Sequence, residues 1–244
     1  MHHLNLSRLE LYMDFDRPLK EHEVSAIRSS LARRSRGEPI AYIEGATSFL
    51  GCEIALSPEA LIPRPETEWI VETIIKELDG QDLKGKALFD IGTGTGCIAI
   101  ALKKHLPDLA VYASDITLLP LALKNAKANR VEITFLEGDL LEPFTLQPDF
   151  IIANLPYIGT NESLSREVTD YEPHRALFSG ADGLDHFSRL STQLPKGPFK
   201  LWLEIGAGQG KAIQEIFNGG TLTQDYGGKD RLFSLENASV KEVL

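Results

Sequence analysis

From residue 86 onward the chain alternates short apolar runs with amphipathic segments, and this alternation limits its fold more than any other feature. Lys86–Ile91 reads as a buried strand, Cys97–His105 as a helix, Ala110–Ser114 as a second strand and Leu118–Asn129 as a second helix. Glu132–Leu136, Asp149–Ala153 and Phe199–Ile205 continue the strands, the last followed by a helix over Gly210–Phe217. Thr221–Tyr226 and Arg231–Leu235 read as a closing antiparallel pair. Strands that alternate with helices imply a doubly wound α/β sheet. Ligands of such sheets bind beyond the carboxyl ends of the strands, and two motifs of this chain fall there.

The first motif is Asp90-Ile91-Gly92-Thr93-Gly94-Thr95-Gly96, set between a strand and a helix. Glycines there allow a tight turn and let a ligand approach the backbone without a Cβ in the way. The spacing is G-x-G-x-G and not the G-x-G-x-x-G of a dinucleotide site. The acid two positions before the first glycine suits a cation better than a pyrophosphate. Asp90 is expected to hold the amino group of a methionine moiety, directly or through water. Asp115 closes the next strand nineteen residues beyond Gly96, where a carboxylate can accept bonds from both ribose hydroxyls. Asp139 follows the third strand and is placed to reach an adenine amino group, with Leu140 packing on the ring. The alternative for any one of these acids is a plain helix cap. Taken in order they describe S-adenosylmethionine, with S-adenosylhomocysteine as the product. Glu204-Ile205-Gly206-Ala207-Gly208-Gln209-Gly210 repeats the pattern, but too little chain follows it to supply the remaining strands, so it reads as a structural turn.

The second motif, Asn154-Leu155-Pro156-Tyr157, ends the apolar run Phe150–Ala153. An amide, a rigid turn and an aromatic ring suit a flat substrate carrying an NH2 group, a carboxamide or a base amine. A carboxamide nitrogen is a poor nucleophile because its lone pair is delocalised. The Asn154 side-chain oxygen can accept one of its hydrogens and the Leu155 carbonyl the other, while Tyr157 stacks on the group. Alignment then provides much of the acceleration, and a dry pocket favours loss of the sulfonium charge. No metal or covalent nucleophile is required.

Composition narrows the setting. The net charge is −10, from 35 acidic and 25 basic residues, which argues against direct binding to a nucleic-acid backbone. The basic stretches Arg28–Arg36 and Lys124–Arg130 read as solvated helix faces. No window approaches the roughly 18 apolar residues of a membrane span, and Met1–Asn5 lacks the marks of a signal peptide. Cys52 and Cys97 have no metal-type spacing, so free thiols in a reducing cytoplasm are expected. Residues 1–36 read as helical, with Val24, Ile27 and Leu31 on one apolar face. Gly37-Glu38-Pro39 breaks that helix, β-rich segments punctuated by glycine suggest a hairpin between 40 and 62, and a helix starts near Pro65.

With those motifs in hand, the chain resembles the HemK/PrmC protein-glutamine methyltransferases over nearly its whole length. The likeness is carried by Gly37–Gly45, Leu61–Glu68 around Arg64, the glycine loop, Asp115 and Asn154–Ile158. It continues through Glu172-Pro173, Gly180–Leu184, Leu203–Gly206 with Gln209-Gly210, and Asp230-Arg231. The resemblance implies a class I S-adenosylmethionine-dependent methyltransferase fold, mainly parallel with an antiparallel terminal strand. It implies three parts: a helical substrate-docking region over 1–38, a β-hairpin linker over 39–62 and a catalytic domain over 63–244. It further implies that Arg64 contacts or shields the methionine end of the cofactor. The implied reaction is methylation of the glutamine in the Gly-Gly-Gln motif of peptide chain release factors; a monomer is the default expectation, with no membrane partner. Two departures stand out. Position 155 is leucine where the family signature Asn-Pro-Pro-Tyr has proline, which removes a fixed φ, and the amino-terminal region is short for the family. Alternatives at this point are a ribosomal-protein glutamine, an adenine-N6 or rRNA target, and a cofactor-binding chain without catalysis.

Overall fold

Ala87-Leu88-Phe89-Asp90-Ile91 is apolar at four of five positions, as a strand covered on both faces must be, and all five residues are buried. In the computed structural model, which describes residues 2–4 and 6–237, this segment is an interior strand of a seven-stranded sheet. Met1, Asn5 and the 238–244 end of the expected catalytic domain lie outside the described residues.

The chain enters through two helices, α1 (Arg8–Met13) and α2 (Glu21–Arg34), then a short α3 (Ile40–Glu44). A hairpin follows, β1 (Ala46–Phe49) and β2 (Cys52–Ala55), then α4 (Pro65–Leu78) and the interior β3 (Ala87–Ile91). Next come α5 (Cys97–His105), β4 (Ala110–Asp115), α6 (Leu119–Ala128), β5 (Thr134–Glu137) and β6 (Phe150–Ala153). The rest is α7 (Arg166–Tyr171), α8 (Asp185–Gln193), β7 (Phe199–Glu204), α9 (Gly210–Ile216), β8 (Thr221–Gln224) and β9 (Asp230–Asn237). The large sheet has the order β5-β4-β3-β6-β7-β9-β8. Its first five strands are parallel, and β9 runs antiparallel to both β7 and β8. The order reverses at β3, so the crevice between the ends of β3 and β6 is the switch point where ligands bind.

Period-two alternation divides the core. Leu88, Ile152 and Trp202 pack with Ile70, Ile74 and Leu78 of α4 and with α5 on one face. Phe89, Ile151, Leu201 and Leu203 pack with Phe187 of α8 and Ile213 of α9 on the other.

Three expectations need correction. The hairpin is narrower than 39–62, because Ile40–Glu44 is helical. Pro39 starts that helix and Gly45, at φ 75°, ends it, while Arg33 and Glu38 tie the region to α2. The hairpin turn is Leu50-Gly51, both at positive φ, the two-residue form that matches strand twist. The stretch 1–36 is not one helix, and the face of Val24, Ile27 and Leu31 is not a packed core. Leu31 is 63% exposed, and it lines an open apolar groove with Leu11, Phe15, Ile27, Ile40 and Ile43. Finally, α7 and α8 arise where no element was expected. The sequence of α8 is polar apart from Phe187 and Leu190, the two residues it buries.

Asparagines on α6 fasten the hairpin. The Asn125 amide accepts from Ala55 N–H and donates to the carbonyls of Ala55 and Thr95. Asn129 accepts from the Glu53 N–H and donates to its carbonyl. The glycine loop and the hairpin therefore share one buried anchor.

Candidate active site

At the end of β3 the backbone turns through Gly92, Gly94 and Gly96, with φ of 68°, 57° and 81°, a conformation that only glycine adopts without penalty. A Cβ on Gly92 would sit 3.1 Å from Leu155 Cδ2, and one on Gly96 would sit 3.2 Å from side-chain atoms of Ala122 and Ile100. Gly92 therefore lets the two motifs touch, and Gly96 lets α5 and α6 close together.

The loop forms the floor of an open cleft of about 1000 Å³, counting its mouth. Gly92, Thr93, Gly94 and Thr95 line it, with Asp115, Asp139, Leu140, Asn154, Leu155, Pro156 and Arg64 on its walls. Asp115 is 9% exposed. One of its oxygens accepts from Gly94 N–H at 2.9 Å, and the other from the N–H groups of Thr117 and Leu118. It thus orders both neighbouring loops while its face stays on the cleft. Asp139 sits at the rim, ion-paired with Arg189 of α8. Leu140 is held at φ 51°, and its carbonyl accepts the Ser114 hydroxyl.

Three expected residues stand off the cleft wall. Gly96 serves helix packing. Asp90 has no exposed surface; its Oδ2 accepts from the Thr93 hydroxyl at 2.6 Å and from Ala99 N–H at 3.2 Å. Its Oδ1 has no partner, and burial pushes the carboxyl up to about 7, with the charge of Asp115 adding to the rise. Tyr157 turns away and donates its hydroxyl to Glu204 at 3.2 Å. Desolvation raises the Tyr157 phenol far above its usual range, so it stays protonated.

Arg64 lines the cleft as expected, and partners not foreseen complete the site. Arg64, at the N-cap of α4, pairs with Glu172, whose side chain is buried and which also accepts from Ile62 N–H. Thr67, one turn into α4, accepts from the Asn154 amide at 3.0 Å and donates to Glu204 at 2.6 Å. His186 also lines the cleft, its Nδ1 bonded to Ser179. The signal for Thr67 was its place in Pro65-Glu66-Thr67-Glu68 beside Arg64; nothing in the linear sequence pairs it with position 204.

These walls fit S-adenosylmethionine. Asp115 offers acceptors suited to ribose hydroxyls, and Leu140, Ile116 and Ile98 offer apolar surface suited to a ring. Among the described residues no cluster could hold a metal ion and no helix is long and apolar enough to cross a membrane.

Comparison with known proteins agrees. The PrmC N-terminal domain model matches residues 1–45 and the Methyltransferase small domain model residues 67–171. The release factor glutamine methyltransferase of Chlamydia trachomatis serovar D is 39% identical over 230 residues, covering 90% of this chain and 79% of its own. That of Geobacter sulfurreducens is 39% identical over 226 residues, covering 88% and 77%. Among solved structures, the Thermus thermophilus 16S rRNA N2 G1207 methyltransferase, in complex with AdoMet and guanosine, superposes with a TM-score of 0.56. Its identity is 15%, and the match covers 79% of this chain and 49% of that one. Fold and cleft together define a class I S-adenosylmethionine-dependent methyltransferase. Within that class, the chain belongs to the release factor glutamine methyltransferase family.

Proposed function

We propose that this chain methylates the side-chain amide nitrogen of the glutamine in the Gly-Gly-Gln motif of peptide chain release factors, acting as a cytoplasmic monomer. The observation that carries the reading is the Asn154 carboxamide on the cleft wall, its NH2 committed to Thr67. That commitment leaves its oxygen to accept an N–H from a substrate amide.

Gly92 to Thr95, Asp115, Asp139 and Leu140 would hold S-adenosylmethionine, with Arg64 bordering the same cleft. When bound, it supplies an electrophilic methyl group on a sulfonium centre. Asn154 Oδ1 takes one hydrogen of the substrate NH2 and the Leu155 carbonyl the other, which holds the nitrogen lone pair toward the incoming methyl. Proline is not needed at 155 for this. The leucine side chain is 3% exposed and packs on Gly92, so burial restrains the carbonyl that a ring would otherwise fix. Gly183, at φ 81°, passes so close to the Tyr157 carbonyl that a Cβ would not fit, which steadies the same segment from outside.

Labelled methyl transfer to a purified release factor tests the reading. Transfer is expected with Gly-Gly-Gln intact and absent when its glutamine is replaced. Asn154→Ala should lower kcat by about a hundredfold or more, in the range for loss of one preorganised polar contact, while cofactor binding persists. Transfer to naked RNA or to a ribosomal protein in place of the release factor would overturn it.

A further inference from the structure

Asn and Gln amides can sit in either of two orientations, and the hydrogen-bond network decides between them. For Asn154 that network runs away from the cleft into the core. Its NH2 donates to Thr67 Oγ1 at 3.0 Å, and the Thr67 hydroxyl donates to Glu204 Oε2 at 2.6 Å. Tyr157 donates to the other oxygen, Oε1, at 3.2 Å. Glu204 is 2% exposed and Thr67 also 2%. As an ionised carboxylate with one hydroxyl on each oxygen, Glu204 can only accept.

Polarity then passes along the chain of bonds. Since Glu204 only accepts, the Thr67 proton must point to it. Since that proton is spent, Thr67 oxygen can only accept from Asn154. Since Asn154 gives its NH2 to Thr67, its oxygen must face the cleft. We infer that Glu204, acting through Thr67, is a positioning group that sets the orientation of the Asn154 amide and hence its polarity toward the substrate NH2. This rests on the proposed amide-methylating reaction and deepens it. Glu204 touches neither substrate nor cofactor cleft; it acts from the end of β7, 137 residues from Thr67 in sequence.

Other groups face Glu204. Burial raises its pKa, the hydroxyls of Thr67 and Tyr157 and the charge of Arg231 lower it, and Glu66 raises it. The net effect is a rise that the two hydroxyls and the cation only partly offset, and the relay uses the geometry of one hydroxyl on each oxygen.

The relay makes an unusual prediction. With Glu204→Met the Thr67 proton loses its acceptor and turns to Asn154 Oδ1, so the amide reverses and presents NH2 to an NH2 substrate. Thr67→Val removes that competing donor. Methyl transfer to a release factor would be measured for the wild type, Thr67→Ser, Thr67→Val, Glu204→Met and the double variant, with cofactor Kd and melting curves alongside. The expected kcat of Thr67→Val is about three- to tenfold low, one hydrogen bond's worth of orientation, with Thr67→Ser near the wild type. Glu204→Met falls further, and adding Thr67→Val raises it back toward the Thr67→Val level. Cofactor Kd stays within about twofold throughout. A merely structural glutamate predicts the reverse, a double variant worse than either single one, and that result overturns the relay. Should Glu204→Met fail to fold, the Thr67 pair decides: a Thr67→Val enzyme as active as the wild type, or a Thr67→Ser enzyme as poor as Thr67→Val, overturns it. A wild type silent on every release factor would instead remove the reaction on which the relay rests.

Discussion

The chain makes the same turn twice, after β3 and after β7, and the two copies have opposite uses. Each begins with a buried acid, Asp90 or Glu204, followed by three alternate glycines that lead into a helix. After β3 all three glycines take positive φ, and the space above them is the cleft floor. After β7 only Gly208 does so. There Gln209 folds back and fills the turn, accepting from Gly206 N–H at 2.8 Å and donating to the Tyr157 carbonyl at 2.8 Å. The acids differ likewise. Asp90 bonds within its own loop and leaves one oxygen unpaired, whereas the longer Glu204 reaches across to Thr67 and Tyr157. One turn floors an open cleft, and the other, its seat taken by its own side chain, braces the Asn154–Tyr157 segment.

The sharpest way to break this contrast is to add a methyl group at each first glycine. Gly92→Ala must adopt φ 68° and press on Leu155, at about 1–2 kcal/mol for the left-handed backbone alone. Its cofactor Kd should rise about tenfold or more. Gly206→Ala keeps an ordinary φ and meets the Gln209 amide at 2.8 Å and Tyr157 Cδ2 at 3.4 Å, neither of which lines the cofactor cleft, so its Kd should stay within about twofold. Calorimetric titration of both would show it, and equal losses would end the distinction.

Emptying the second turn comes next in size. Gln209→Ala leaves the half-buried Gly206 N–H and Tyr157 carbonyl without their partner, a loss of about 1 kcal/mol for each hydrogen bond. A melting curve should drop by several degrees and KM for the release factor should rise, while the cofactor Kd holds. A cofactor effect larger than the substrate effect would contradict the division of labour.

The smallest effect concerns pH. The folded pKa of Asp90 lies near 7, above the 3.8 of the free side chain. Between those values the native state binds more protons than the unfolded one. The contribution of Asp90 to stability is therefore full below about 3.8 and lost as pH rises through 7. Asp90→Asn has no such loss, so its urea midpoint should gain on the wild type between pH 5 and 8. Parallel midpoints across that range would show that Asp90 titrates normally.

What could be foreseen follows from how far apart the partners lie. The strand alternation and the place of the glycine loop, Asp115 and Asn154 on the cleft are legible because each lies within a few positions of a strand end. Leu61–Glu68 marks Arg64, but its partner Glu172 is 108 residues away, and pairing over such a span has no period to betray it. Glu204 was visible as the head of a turn and invisible as the partner of Thr67 for the same reason. The amino-terminal helices misled in another way. Val24, Ile27 and Leu31 have helical spacing, but periodicity reports an apolar face and not whether the same chain covers it.

The hairpin joint bears on how such proteins diversify. Asn125 and Asn129 grip main-chain groups of Ala55 and Glu53 and no side chain. Any sequence able to form a hairpin would present those same groups. What the hairpin must supply besides is apolar bulk, because Phe49, Cys52 and Ile54 fill the core beside α4 and α5; the joint therefore asks for hydrophobic volume at three positions and for no particular polar side chain.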